Sequence, residues 1–305
     1  MAKVIQEMIE AEVHGRFANG EDLYHGYIGG QLPVTDSEAA MNVRIGNQTS
    51  KHAPARLPYE FARSKGFGAF EWFSDRGRGG WGEVDTTPNE RAELRQAAIT
   101  GNVWFSIHAP YLADPTTKEG TEAIRQSIWF GGEIGARVVN LHLFPEHQAR
   151  PYAESLLPLI RAAAEANLRL SLENTPPTPP DHVNAVFGVL TSMKEASGRV
   201  GMCLDSGHAN LFPGTHNDYV RFVDLLGEHV PIIHWHAHEN WGDRDSHLPL
   251  FTGPSKDDDR GIRGLVQRLL KRGFSGSVIM EQWPNPPEQL VWTRDRLDHL
   301  FNETT

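Results

Sequence analysis

The chain has 305 residues, 39% of them hydrophobic and 22% charged, which is enough apolar material for a sizeable core and too much for a disordered or fibrous protein. Its 29 Lys and Arg against 39 Asp and Glu leave a net charge of −10, so no general electrostatic pull toward nucleic acid or anionic lipid is expected, although a local basic groove is compatible with it. The single cysteine, Cys203, excludes an intramolecular disulfide and a cysteine-based zinc finger and fits a reducing compartment, while 15 histidines stand out for this length.

The chain opens MAKVIQEMIEAEVHGR, with acidic residues where a signal peptide needs an apolar run. No later segment reaches the ~18 consecutive apolar residues of a membrane span, so a cytoplasmic protein is expected. Residues 1–40 read as an N-terminal extension with one candidate helix, KVIQEMIEAEVH (3–14), and residues 41–305 as a single domain. From residue 41, apolar runs of strand length alternate with segments of helical period, the signature of βα units and a parallel sheet. The expected strands are NVRIG (42–46), GAFEWF (68–73), VWFSIH (103–108), RVVNLHL (137–143), LRLSLE (168–173), RVGMCLD (199–205), VPIIHWHAH (230–238) and GSVIMEQW (276–283). Helical patterns between them include 154–167, 219–229 and 262–273, the last with Gly273 just past its end, and 289–301 closes the series. Eight such units fit the ~250 residues of an α/β (β/α)8 barrel, a TIM barrel, better than an open doubly wound sheet. No G-x-G-x-x-G follows the first strand and no P-loop motif occurs, which weakens nucleotide-binding versions of the open sheet.

An apolar strand that ends in an ionisable side chain needs a reason, because burying such a group is costly unless it is paired or metal-bound. Here six successive strands do so, at His108, His142, Glu173, Asp205, His236 and Glu281. In a barrel their C-terminal ends share one face, where active sites form, so the six would converge on one axis. Imidazole and carboxylate without thiolate suit Zn²⁺, Mn²⁺, Fe²⁺ or Co²⁺. Asp205-Ser-Gly-His208 and Asp245-Ser-His247 add further ligands. Any one of these residues could instead be a helix cap, as could Asn174, but independent caps would not select imidazole and carboxylate at six consecutive strand ends. His234 and His238 share a strand face with His236 and read as supporting or solvated groups, His238 toward the substrate. His14, His25, His52, His182, His216, His229 and His299 read as ordinary surface or cap residues.

The segments HAPYL (108–112), VVNLHLF (138–144), LSLENTP (170–176), VGMCLDSGHANLF (200–212), IIHWHAHEN (232–240), RDSHLPL (244–250) and VIMEQ (278–282) resemble the xylose-isomerase-like barrels, which include endonuclease IV and many sugar isomerases and epimerases. That resemblance implies one of two ligand schemes. In the trinuclear scheme of the endonucleases, His108, His142 and Glu173 hold one metal and Glu173 bridges to a second held by Asp205, His236 and Glu281. A third then falls to His208, Asp245 and His247. The simpler isomerase scheme uses only Glu173, Asp205, His236 and Glu281 around one Mn²⁺-type ion. One to three divalent ions, Zn²⁺ or Mn²⁺, are therefore expected per chain.

The first expectation for function is an isomerase or epimerase acting on a small sugar, sugar phosphate or related polyol. In it Glu173 and Glu281 move the proton, and Tyr111, His238, Trp241 and Trp283 contact substrate. Trp72 and Phe144 are further candidates for the rim. The alternative is phosphoester hydrolysis of the endonuclease IV type, acting on abasic DNA with a trinuclear zinc site, which the full ligand set and Tyr111-Leu112, Arg76 and Arg78 favour. Against it, LENTPPTPP, HLFPEH and LPLFTG depart from the glycine-containing loops of the endonucleases. A binding module without chemistry is the third reading, disfavoured because no ligand has been lost. A homo-oligomer is compatible with all three.

Overall fold

The computed structural model describes residues 42–50, 53–54, 56–74 and 85–303. The N-terminal extension with its helix 3–14, and Arg76 and Arg78, lie outside them.

Eight strands alternate with helices: β1 (Arg44–Gln48), α1 (Leu57–Ser64), β2 (Ala69–Phe73), α2 (Pro88–Gly101), β3 (Trp104–His108), α3 (Lys118–Ile134), β4 (Val138–His142), α4 (Ala149–Ser155), α5 (Leu157–Glu165), β5 (Arg169–Glu173), α6 (Pro180–Leu190), β6 (Val200–Asp205), α7 (Ser206–Leu211), α8 (Arg221–Leu225), β7 (Ile232–His236), α9 (Arg260–Lys271), β8 (Ser277–Met280) and α10 (Gln289–Glu303). All strand pairs are parallel and β8 returns to β1, closing the barrel. The expected TIM barrel is the observed fold.

Several boundaries differ from the pattern in the sequence, three of them with a clear cause. β1 lies two residues later than NVRIG, because its pairing with β8 begins at Arg44 opposite Ser277 and continues through the polar Asn47 and Gln48 onto β2. The helix expected over 154–167 is two helices meeting at Leu156, with Pro158 in the first turn of α5, where its missing N–H is tolerated. The helix expected over 219–229 shrinks to the five residues of α8, entered where the Asp218 carboxylate accepts the N–H groups of Val220 and Arg221. In contrast, α9 ends as expected, with Gly273 at φ 71°, a left-handed position that glycine adopts without steric cost.

Strand alternation sorts the side chains into two layers. Phe70, Trp72, Phe105, Ile107, Leu141, Leu172, Leu204 and Met280 face the helices and form the main apolar core, with Tyr59 of α1 packed against Phe70, Trp72 and Phe105. The barrel interior is different. At its N-terminal end Ala69, Trp104 and Ile279 form a small separate cluster, with the Arg137 guanidinium 4.1 Å and that of Arg44 5.6 Å from the Trp104 ring. Above it lie the buried polar residues Glu71, Ser106, Asn140, Ser171 and His234, and above those the strand ends. Among the described residues no helix is long and apolar enough to cross a membrane.

Candidate metal centre

The C-terminal strand ends converge. Register places His142 beside Glu173 and Asp205 beside His236, and Glu281 follows directly on β8. Candidate ligand atoms of Glu173, Asp205, His236 and Glu281 all lie within 4.8 Å of one another, and the same holds for His108, His142 and Glu173 and for His208, His238, Asp245 and His247. All nine expected ligands are thus in one cluster, in three neighbouring groups of which two share Glu173.

Glu173 is the hub. Its Oε2 lies 3.3 Å from His108 Nε2 and 3.2 Å from His236 Nδ1, and its Oε1 lies 3.6 Å from His142 Nε2 and 3.3 Å from His208 Nδ1. Asn140 Nδ2 donates to Oε2, and Asn140 is itself turned that way by Ser171 Oγ, which donates to its Oδ1 at 2.7 Å. Burial alone would push the Glu173 carboxyl up; the imidazoles of His236 and His142, with hydrogen bonds from His108 and His208, outweigh it and hold the group well below the usual carboxylate range.

Asp205 has two tasks. It caps α7, accepting the His208 N–H through Oδ1 at 2.6 Å, and its Oδ2 accepts from His238 Nε2 at 3.0 Å. The cap reading and the cluster reading of this residue therefore coexist. Asn174 caps nothing; its side chain brackets the Asp205 backbone, donating to Asp205 O and accepting from Asp205 N, both at 2.9 Å.

Ring orientation is set by what each imidazole does with its other nitrogen. The Nδ1–H groups of His108, His208 and His247 donate to the carbonyls of Ala109 (2.7 Å), Asn174 (2.9 Å) and Glu281 (3.1 Å); Nε2 then faces Glu173 in His108 and Asp245 in His208 and His247, while His208 Nδ1 also lies 3.3 Å from Glu173 and Asp205. His236 is reversed: its Nδ1 faces Glu173 and, at 3.1 Å, Glu281 Oε1, while its Nε2 points at Glu71. The loop bearing Asp245 and His247 is tied down by an antiparallel bridge between Glu239 and Leu248. The buried Glu239 carboxylate also accepts the N–H groups of Thr252, Gly253 and Ser255. Asp245 Oδ2 lies 3.4 Å from His208 Nε2 and 3.1 Å from His247 Nε2.

The charge states follow from this crowding. Burial lowers the His142 pKa to about 4. Desolvation opposes charge on His247, yet the Asp245 hydrogen bond and the Glu281 charge raise it to about 9. Asp245 is held far below its ordinary value by His208 and His247 against its own desolvation. Glu281, buried beside other carboxylates, is raised to about 7.

The donor set fits divalent metal. His236 Nδ1 is completely buried, has no hydrogen-bond partner, and faces two carboxylate oxygens, which is where a shared cation would satisfy all three groups.

Above the cluster opens a cavity of about 590 Å³. Tyr111 and Trp283 line it, together with Gln48, Phe73, Thr175 and Gln282. Other expected rim residues lie elsewhere. His238 is 0% exposed and bonds Asp205 from below, because its strand parity carries it under the loop rather than to the rim. Trp241 is 61% exposed and outside the cavity lining, and Phe144 does not line the cavity either. Trp72 is 0% exposed and faces the helices, the parity opposite to Glu71 and Phe73.

Two buried groups were not singled out from the sequence. Glu71 lies in mid-strand and accepts from Ser106 Oγ at 2.8 Å and His234 Nε2 at 2.9 Å; its signal was a lone acid within GAFEWF. Cys203 lies within ligand reach of His234 and His236, and in the metal-free site burial pushes its thiol well up.

A family model described as a xylose isomerase-like TIM barrel matches residues 59–300. The chain is 25% identical over 197 residues to an uncharacterized protein of Methanocaldococcus jannaschii, an overlap of 57% of this chain and 63% of that one, so it spans less than two thirds of that relative. It is 28% identical over 217 residues to the probable endonuclease 4 of Streptomyces coelicolor, covering 58% of this chain and 74% of the relative. Among solved structures it resembles a D-tagatose 3-epimerase-like protein (TM-score 0.66, 22% identity, 86% of this chain and 99% of that one). An L-ribulose 3-epimerase is also similar (TM-score 0.59, 16% identity, 86% and 95%). These two likenesses establish shared architecture only. The chain belongs to the xylose isomerase-like TIM barrel family.

Proposed function

We propose that the protein is a divalent-metal-dependent isomerase or epimerase of a small, uncharged polyhydroxylated substrate. The observation that carries this is the cavity's chemistry. Both side-chain heteroatoms of Gln282 and the Oε1 of Gln48 are buried at its wall without a hydrogen-bond partner, and among the described residues no Lys or Arg lines it. Neutral amides in want of partners beside the Trp283 and Tyr111 rings suit hydroxyl groups and the apolar face of a sugar. A divalent ion held by Glu173, Asp205, His236 and Glu281 would acidify the C–H beside a substrate carbonyl. Glu281, which lines the cavity beside that ion, is placed to take up and return that proton. Glu173 is engaged by four imidazoles and an amide, so its part is to orient rather than to carry protons.

A second reading, phosphoester hydrolysis with clustered zinc ions, is favoured by Glu173 itself. Each of its oxygens faces two imidazoles from different ligand groups, the arrangement of a bridging carboxylate, and the relatives named as probable endonuclease 4 lend it support. The deciding experiment pairs metal stoichiometry of protein purified without chelators with two assays, ketose epimerisation in deuterated water and cleavage of abasic DNA. Solvent deuterium at the epimerised carbon without DNA cleavage supports the first reading. Three zinc ions with strand cleavage replace it by the second, and an absence of metal with undiminished activity in EDTA removes both.

A further inference from the structure

We infer that Glu71 is a positioning residue, a buried clamp that turns His236 so that its Nδ1, rather than Nε2, is presented to the metal group of Glu173, Asp205 and Glu281. This rests on the metal reading above and extends it to a residue that is not itself a ligand.

Glu71 and His234 are fully buried in the layer below the cluster. Glu71 Oε2 accepts from Ser106 and His234, which holds the carboxylate, and its Oε1, otherwise without a hydrogen-bond partner, makes an ion-pair contact at 3.0 Å with the equally unpartnered His236 Nε2. With a cation between Nδ1 and the carboxylates of Glu173 and Glu281, 3.2 and 3.1 Å away, the imidazole proton would sit on Nε2, where the Glu71 carboxylate is placed to accept it. Among the oriented imidazoles this one is singular. His108, His208 and His247 are each held by a backbone carbonyl, which no side-chain substitution removes. His236 has a side-chain holder, so its orientation can be removed by mutation.

The test uses the full chain carrying E71Q or, separately, H234Q. Gln can accept one of the two N–H groups but brings no charge and adds donors of its own. H234Q disturbs the same buried layer but keeps a side-chain N–H donor for Glu71 Oε2, with Ser106 still donating to it, so the carboxylate stays available to His236. Metal affinity is read by competition with a chromophoric chelator, and ligand geometry by the visible spectrum of the Co²⁺-loaded protein. E71Q is expected to weaken one ion by about 10- to 100-fold and to change the Co²⁺ spectrum, with any other ions bound as in wild type; H234Q is expected to stay within about threefold of wild type, an affinity difference under ~0.7 kcal/mol. Wild-type affinity and spectrum in E71Q would overturn the inference, as would an equal loss in H234Q, which would make the layer merely structural. If E71Q does not fold, E71D, which keeps the charge, is measured instead: a bound ion with altered spectrum supports the clamp, and an unaltered one overturns it. A wild-type protein that binds no metal would instead defeat the metal reading.

Discussion

Metal uptake by this cluster should be a competition with protons, and its pH dependence can be worked out from the geometry. His247, with Nδ1–H on the Glu281 carbonyl and Nε2 beside Asp245, has its pKa raised to about 9. At pH 7 a metal that uses Nε2 must displace a proton held two pH units too tightly, which costs about 2.7 kcal/mol or roughly a hundredfold in affinity. Glu281, raised to about 7, is half protonated there and adds a second proton as pH falls. The logarithm of zinc affinity should therefore rise with pH with a slope of at least about one between pH 7 and 8.5, and steepen toward two below pH 7. The assay is titration calorimetry in buffers of different ionisation enthalpy, which counts the protons released. Binding that releases no protons at pH 7 would refute the reasoning. The metal-free protein should show the opposite trend from this histidine. A folded pKa above the unfolded value stabilises the fold fully below about pH 6.5, and that contribution is lost as pH rises through about 9. With 34% of the side chain open to solvent, screening reduces this contribution to about 1–2 kcal/mol.

Three more expectations concern single changes. Glu281→Gln should abolish activity with the fold preserved. Because the raised carboxyl pKa costs stability as pH climbs from about 4.5 to about 7, the metal-free variant should also melt higher than metal-free wild type at pH 8, by an amount reflecting up to about 3 kcal/mol; an active variant would contradict both proposed chemistries. Gly207→Ala sets a methyl 2.0 Å from His238 Cε1 in a ring that is buried and stacked 4.0 Å from His247, so denaturant unfolding should show a loss of about 1–3 kcal/mol together with less metal bound per chain. Stripping metal with EDTA should lower the melting temperature, and zinc at about a thousand times its Kd should restore about 4 kcal/mol; a melt indifferent to zinc would count against a specific site.

The strands and their terminal ligands were legible because a parallel strand buried on both faces reads as an unbroken apolar run, so an imidazole or carboxylate at its end is conspicuous. Glu71 escaped because it stands between Phe70 and Trp72 in a run that still reads as apolar. Its parity with Phe73, which pairs with His108, was the available clue. By the same parity Trp72 faces the helices, and His238, fully buried, supports Asp205 as one of its two expected roles and does not line the cavity. The loop carrying Asp245 and His247 could be proposed as ligand-bearing from its residues, but not its course. His247 sits at φ 46° and Phe251 at φ 67°, left-handed conformations that non-glycine residues seldom adopt, in a loop anchored by Glu239.

The division between an apolar sheet–helix layer and a hydrogen-bonded barrel interior has a consequence for how such a protein can change. Cohesion resides in the outer layer, where Tyr59, Phe70, Trp72 and Phe105 meet edge to face, and substitutions that conserve volume there can retune heat resistance without touching the centre. The interior obeys the opposite rule. Exchanging Glu71 and His234 for well-packed apolar residues could leave the barrel as robust or more so, while the ring of His236 lost its bearing. Durability and competence therefore occupy separate shells, and a search for hardened variants belongs in the outer one.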